Sequence, residues 1–236
     1  MNLQGPNPEE IKNLFSTVAA GYDRANDAMT FGMAHLWRRK LVAWSEAKEG
    51  QRILDCATGT GDLAIEFKKT VGHAGQVTGI DFCEAMLDLA PPKADKHKLE
   101  IDFKVADVMN LPFSDHGFDV CSIAYGIRNV SDPGKALKEM ARVVKSGGKV
   151  MILETGDAPE NGLKPVFEFY IRQVIPRIGG WITGHRFAYE YLNRSSRQFP
   201  SRERFLDLMK STGVFEKCEY QVLFGGASFL YRGTVK

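Results

Sequence analysis

"LDCATGTGDLA", residues 54–64, is the stretch on which the reading of this chain turns. A strand-like run, Arg52 to Ala57, gives way to glycines at 59 and 61. Then comes "DLAIEFKKTV", whose apolar residues recur at helical spacing. Strand, glycine turn and helix together present backbone N–H groups at a helix N-terminus, which suits a nucleotide-like ligand. Gly59-Thr60-Gly61-Asp62-Leu63-Ala64 fits G-x-G-x-x-G/A, and Asp81 stands 20 residues beyond Gly61.

Downstream the same alternation continues. "QVTGIDF", "IDFKVAD", "FDVCSIAY" and "KVMILE" read as strands. The short helix "CEAMLDLA" is expected to stop at Pro91 and Pro92. Asp132 and Pro133 form an N-cap and N1 pair opening "GKALKEMARVVK", which Gly147 and Gly148 are expected to end. Nearly continuous apolar strands separated by helices predict a parallel sheet covered on both faces, an α/β fold. "FEKCEYQVLF" and "SFLYRGTV", joined by "GGA", read as an antiparallel C-terminal hairpin, which makes seven strands, mostly parallel.

Two segments lie outside this alternation. Residues 8–46, from "PEEIKNLFSTVAAGYD" to "HLWRRKLVAWSEA", read as an N-terminal helical cap. Residues 157–200 form an insertion, with Phe167, Ile171, Val174 and Ile178 at helical spacing. Core packing is the ordinary reading of such spacing, and a lid over an acceptor is the functional one. Residues 1–236 are read as a single domain.

Composition narrows the class. The 236 residues carry a net charge of +2 with acids and bases interspersed, so no nucleic-acid footprint is expected. Cys56, Cys83, Cys121 and Cys218 are far apart and form no CxxC pair, which predicts reduced, mostly buried thiols and no metal site. The opening "MNLQGPNPEE" has neither a basic nor an apolar targeting region, and no run approaches about 18 apolar residues. A cytoplasmic protein without a transmembrane helix is expected.

The glycine loop alone leaves NAD open as the ligand. Three acids favour S-adenosylmethionine (SAM). Asp55, at the end of the first strand, can meet an ammonium group but has no obvious partner in a dinucleotide. Asp62 would put a negative charge at the helix N-terminus that a pyrophosphate should approach. Asp107, after the third strand, can accept from an adenine amino group, while Asp81 takes two ribose hydroxyls. Asp81 and Asp107 have an ordinary reading as helix or turn caps. Asp55, Asp81 and Asp107, at the ends of strands one, two and three on one sheet edge, point to one ligand with amine and hydroxyl donors.

Together these features resemble a class I SAM-dependent methyltransferase, and more narrowly the ubiquinone/menaquinone biosynthesis C-methyltransferase family. The resemblance rests on "FSTVAAGYDRANDAMTFGMAHLWRR", "LDCATGTGDLA", "LPFSDHGFDV" and "GIRNVSDPGKALKEMARVVKSGGKVMILE", and further on "IPRIGG", "YEYLNRSSRQFP" and "YRG". Ala25, Thr30 and Ala34 replace the family's Met, Ser and His, with His35 one place late. Ser146 and Gly156 replace a Pro and a Ser, and Ala124 replaces a serine before the Gly-x-Arg-Asn.

The resemblance implies a SAM site of Thr58 with Gly59 and Gly61 in the loop, Asp81, and the Asp107-Val108 pair. It also implies a prenylated quinol as acceptor, in the menaquinone or the ubiquinone route, facing Arg128 and Asn129. Arg128, always protonated, is read as a cation that stabilises a quinolate, and Asn129 as a holder of a ring oxygen or a water. Tyr22, Tyr191 and Tyr125 are candidate pocket walls. His185 has a structural reading ahead of a proton-transfer one. A homodimer and contact with the membrane surface, where such a substrate resides, complete the expectations.

Overall fold

The computed structural model of the chain describes residues 5–156 and 169–236. Three helices come first: α1 (Pro8–Val18), α2 (Tyr22–Thr30) and α3 (Met33–Trp44). The alternating part follows as β1 (Arg52–Cys56), α4 (Asp62–Val71), β2 (Gln76–Asp81), α5 (Glu84–Leu87), α6 (Ala90–Lys96), β3 (Asp102–Val105), β4 (Phe118–Ala124), α7 (Pro133–Val143) and β5 (Val144–Thr155). After a π-helical turn at Tyr170–Val174 come α8 (Ile175–Thr183), α9 (Arg186–Gln198), α10 (Arg202–Ser211), β6 (Phe215–Leu223) and β7 (Ser228–Val235).

The strands form one seven-stranded sheet in the order β3-β2-β1-β4-β5-β7-β6. β1 to β5 are parallel, and β7 runs antiparallel between β5 and β6. Successive side chains on a strand point to opposite faces. Ile53 therefore packs with Leu63, Phe67 and Leu41 under α3 and α4, while Leu54 packs with Leu137, Met140 and Phe205 under α7 and α10. Because β1 to β5 run the same way, their carboxyl ends share one edge, and the loops after them converge there.

Two local expectations are corrected. Pro91 and Pro92 do not stop a helix; they stand in the first turn of α6. The first N–H groups of a helix have no intrahelical acceptor, so proline loses nothing there. Gly147 and Gly148 do not end α7 either. That helix stops at Val143 and β5 begins at once, with the glycines in a bulge between the pairs Phe118–Val144 and Val120–Lys149. Gly147, at φ 77°, makes the bulge's turn.

The insertion packs on the N-terminal helices. Tyr189 and Ala188 of α9 join Leu14, Val18, Ala25 and Met29 in one cluster, with Ile175, Ile178 and Ile182 of α8 against it. A Cβ at Gly179 would lie 2.4 Å from the Tyr189 ring, so glycine is what lets α8 approach α9 so closely. Phe167 and the remainder of 157–168 lie outside the described residues. Ile171 and Val174 fall in the π-helical turn.

Candidate active site

The site sits on the shared carboxyl edge. β1 and β4 pair in a register that sets Asp55 opposite Ser122, and Ser122 Oγ donates to Asp55 Oδ1 at 2.7 Å. Thr58 Oγ1 donates to Asp55 Oδ2 at 2.7 Å, which ties the glycine loop to the strand it leaves. Burial pushes the Asp55 carboxyl up to about 6, although both hydroxyls pull it down. Such a carboxyl gains when a cation arrives.

Asp81, ending β2, accepts from the backbone N–H of Gly59 at 2.8 Å and of Cys83 at 2.9 Å. Burial raises it too to about 6, against those same backbone bonds. Asp107 Oδ1 caps its own turn by accepting from Met109 N at 2.8 Å. The capping reading of Asp81 and Asp107 is therefore true as far as it goes, but both carboxylates also face open space. A cavity of about 160 Å³ runs past Asp81, Asp107, Val108, Gly59, Tyr22 and Asn129.

A smaller, more enclosed cavity of about 30 Å³ adjoins it, walled by Asp55, Thr58, Thr60, Asp62 and Arg38. Tyr22, Gly59 and Tyr125 border both spaces. Gly61 lies on neither wall. It is the N-cap of α4 at φ 85°, and a Cβ there would meet Ala90 and Phe103 at 3.1 and 3.2 Å. Tyr22 is half-buried between the cavities, with its hydroxyl pKa raised by desolvation.

Asp62 is not a bare anion at a helix start. Arg38 Nη1 reaches its Oδ2 at 3.1 Å and Lys93 pairs with its Oδ1. Burial works against ionisation, but Arg38 and Lys93 outweigh it and hold Asp62 below the usual carboxylate range. Lys93 also binds Asp23 at 2.7 Å, and Thr60 Oγ1 donates to Asp23 Oδ1 at 2.7 Å. The glycine loop is thereby clamped to α2 and α6.

Arg128 and Asn129 follow β4 in a 3-10 turn, Ile127–Asn129. They face different ways. Asn129 is on the wall of the larger cavity, and the Tyr191 hydroxyl of α9 donates to its Oδ1 at 3.3 Å. Arg128 is buried behind that wall, its Nη1 on Glu154 Oε1 near the end of β5. Glu154 also accepts from Thr155 N at 2.7 Å and Thr155 Oγ1 at 3.1 Å, and Ser196 Oγ of α9 donates to Thr155 Oγ1 at 2.7 Å. α9 is thus fastened at two points beside the loop pair: Tyr191 holds Asn129, and Ser196 holds Thr155, which itself donates to Glu154, the counter-ion of Arg128. The charge of Arg128 still reaches Tyr22 and Tyr191, where it draws the hydroxyl pKa back down against burial.

Ser122, Glu154 and Arg38 did not stand out in the sequence as site residues. A signal existed for the first two. Ser122 interrupts an apolar strand, and Glu154 is a fourth carboxylate at a parallel strand's end. Arg38 could not be found that way, because only the packing of α3 on α4 brings it to Asp62. Two histidines lie elsewhere: His35 bonds Asp27 at 2.8 Å, about half exposed, and His185 packs edge-on to the Phe187 ring. Gly156 has its reason in packing, since a Cβ there would fall 2.0 Å from the buried Phe229 ring.

Comparison with known proteins gives the family and the fold. The model of the ubiE/COQ5 methyltransferase family matches residues 3–235. A ubiquinone/menaquinone biosynthesis C-methyltransferase UbiE of Bdellovibrio bacteriovorus is 57% identical over 236 residues, covering all of both chains. One of a Ruegeria species is 40% identical over 225 residues, covering 94% of this chain and 89% of that one. Among solved structures, a SAM-dependent methyltransferase of Thermotoga maritima, described as a possible histamine N-methyltransferase, shares the fold with a TM-score of 0.68. It is 23% identical, and the match covers 95% of this chain and 99% of that one. The chain belongs to the ubiE/COQ5 methyltransferase family, SAM-dependent enzymes built on the class I methyltransferase fold.

Proposed function

We propose that this protein methylates a ring carbon of a prenylated quinol, in the demethylmenaquinol step and, with the same residues, in the corresponding methoxy-benzoquinol step. The observation that carries the acceptor side is Asn129. It shares a cavity wall with Asp81 and Asp107, is oriented by Tyr191, and adjoins the buried cation Arg128. Its relatives of Bdellovibrio bacteriovorus and a Ruegeria species, named ubiquinone/menaquinone biosynthesis C-methyltransferases, support this choice of acceptor.

The residues fit SAM. Two carboxyls raised to about 6 by burial, Asp55 and Asp81, stand where an ammonium group and ribose hydroxyls would satisfy them. Asp107 would take the adenine amino group, with Val108 beside it; Thr58 and Gly59 hold the carboxylates in position. Bound SAM supplies an electrophilic methyl group on a sulfonium, with a neutral thioether as leaving group.

The chain's own part in the chemistry is to prepare the acceptor. A quinol carbon becomes more electron-rich when its hydroxyl ionises, and a fixed cation nearby favours that ionisation. Arg128 supplies the charge and, being always protonated, cannot take the proton itself. Asn129 holds a ring oxygen or a water; the hydroxyl proton and, once the methyl group has been transferred, the proton on the methylated ring carbon both pass to water. Phe15, Met86, Met109 and Val130 give the cavity apolar walls suited to a ring and the root of its tail. The N-terminal cap and α8–α9 serve as the lid.

No helix among the described residues is long and apolar enough to cross a membrane. Phe31, in the turn between α2 and α3, and Trp181, on α8, are 80% and 87% exposed, and we assign them to peripheral contact with the bilayer surface that holds the substrate.

The test is transfer of label from SAM to short-tailed demethylmenaquinol and to the methoxy-benzoquinol, both kept reduced, with Arg128→Ala as control. Label on ring carbon, lost in the variant, is expected. SAM binding with no label on either ring would sink the quinol assignment and leave the donor site standing.

A further inference from the structure

The two cavities on the carboxyl edge differ in charge. Neither wall carries a lysine or an arginine among the described residues, with one exception: Arg38, which lines the smaller cavity together with Asp55. Arg38 is 7% exposed, deep for a guanidinium, and among the described residues it pairs with Asp62 at 3.1 Å. Asp62 has a second cation, because Lys93 holds its other carboxylate oxygen. A guanidinium has five N–H donors in a planar fork, so binding Asp62 on one edge leaves the other edge for a second anion.

The charge count around this cavity is informative. Asp23, Asp55 and Asp62 oppose Arg38 and Lys93, an excess of one negative charge. SAM carries one carboxylate, one ammonium and one sulfonium, a net charge of +1, so it balances the excess. Its methionine end is a zwitterion, and the smaller cavity offers one group of each sign for it. Asp55, pushed up to about 6 by burial, suits the ammonium. The carboxylate then needs a cation, and Arg38 is the one lining the cavity.

We propose that Arg38 binds the α-carboxylate of the donor, so that Asp55 and Arg38 together make the smaller cavity selective for an amino-acid end. This rests on SAM being the donor. It gives α3 a part in binding, and it would make the N-terminal cap a part of the donor site as well as a cover over it. Charge-assisted bonds to a buried carboxylate typically correspond to roughly 10- to 100-fold in affinity.

The test is calorimetric binding of S-adenosylhomocysteine and of its decarboxylated analogue to the full chain, wild type and Arg38→Met, with unfolding temperatures measured alongside. Wild type is expected to prefer S-adenosylhomocysteine by roughly 10- to 100-fold. Arg38→Met should lose that preference while binding the decarboxylated analogue within about threefold of wild type. Equal losses for both ligands would overturn the proposal, since Arg38 would then act only by holding Asp62. So would a wild type with no preference for the carboxylate. Wild type binding neither ligand would instead refute the SAM reading itself. Should Arg38→Met not fold, Arg38→Lys, which keeps the charge but loses the fork, decides: a smaller loss confined to S-adenosylhomocysteine supports the proposal, and a loss shared by both ligands overturns it.

Discussion

Replacing Glu154 by Gln removes the negative partner of a cation that has almost no access to water. The side chains of Arg128 and Glu154 are 6% and 2% exposed, so solvent screens the pair little. Removing one partner of such a pair costs about 3–5 kcal/mol, because the remaining charge stays buried and unpaired. Gln keeps an oxygen for the Thr155 N–H and hydroxyl, so the low end, about 3 kcal/mol, applies here. For a chain of this size that corresponds to a fall in Tm of about 6–12 °C. Arg128→Met should be destabilising alone but should rescue part of the loss in the double variant, since an uncharged pair leaves no orphaned charge. The coupling expected from a thermal or urea-unfolding cycle is about 2 kcal/mol. In the methyl-transfer assay Glu154→Gln should lower kcat and leave S-adenosylhomocysteine binding unchanged, because Glu154 lies on the wall of neither cavity. Additivity within about 0.5 kcal/mol would refute the reasoning, as it would mean the two side chains do not hold each other.

The pH dependence of donor binding follows from Asp55 and Asp81, both raised by burial from 3.8 to about 6. In the free protein their ionised forms are disfavoured, so each costs stability as pH rises from about 4 to 6; a bound ammonium or hydroxyl reverses that preference. Affinity for S-adenosylhomocysteine should therefore rise from pH 5 to 7 and level off, with release of up to about one proton at pH 6, read by calorimetry in buffers of different ionisation enthalpy. A flat profile would refute it. Tyr191→Phe removes a 3.3 Å bond to Asn129, and should cut kcat roughly 3- to 10-fold without changing donor affinity; a matching loss of donor affinity would place Tyr191 elsewhere in the mechanism. Gly156→Ser forces a Cβ to within 2.0 Å of Phe229, and should cost about 1–3 kcal/mol in urea unfolding; wild-type stability would show that β7 yields there.

The alternation of short apolar runs with helical spacing determined by itself that this is an α/β protein with a parallel sheet. Period-two and period-3.6 patterns are local, so they survive without knowledge of neighbours. The carboxyl-edge site was legible for the same reason. In a parallel sheet every strand delivers its last residue to one edge, so Asp55, Asp81, Asp107 and the residues after β4 had to gather there. Tertiary structure alone decided the pairing of groups distant along the chain. Asp55 meets Ser122 through strand register, Tyr191 meets Asn129 across 62 positions, and Arg38 meets Asp62 because α3 packs on α4. It also decided that the adjacent residues Arg128 and Asn129 part company: Asn129 faces the cavity, while Arg128 turns inward to Glu154. A buried charge requires a partner at bonding distance, and which residue provides it depends on how layers stack, which local periodicity does not encode.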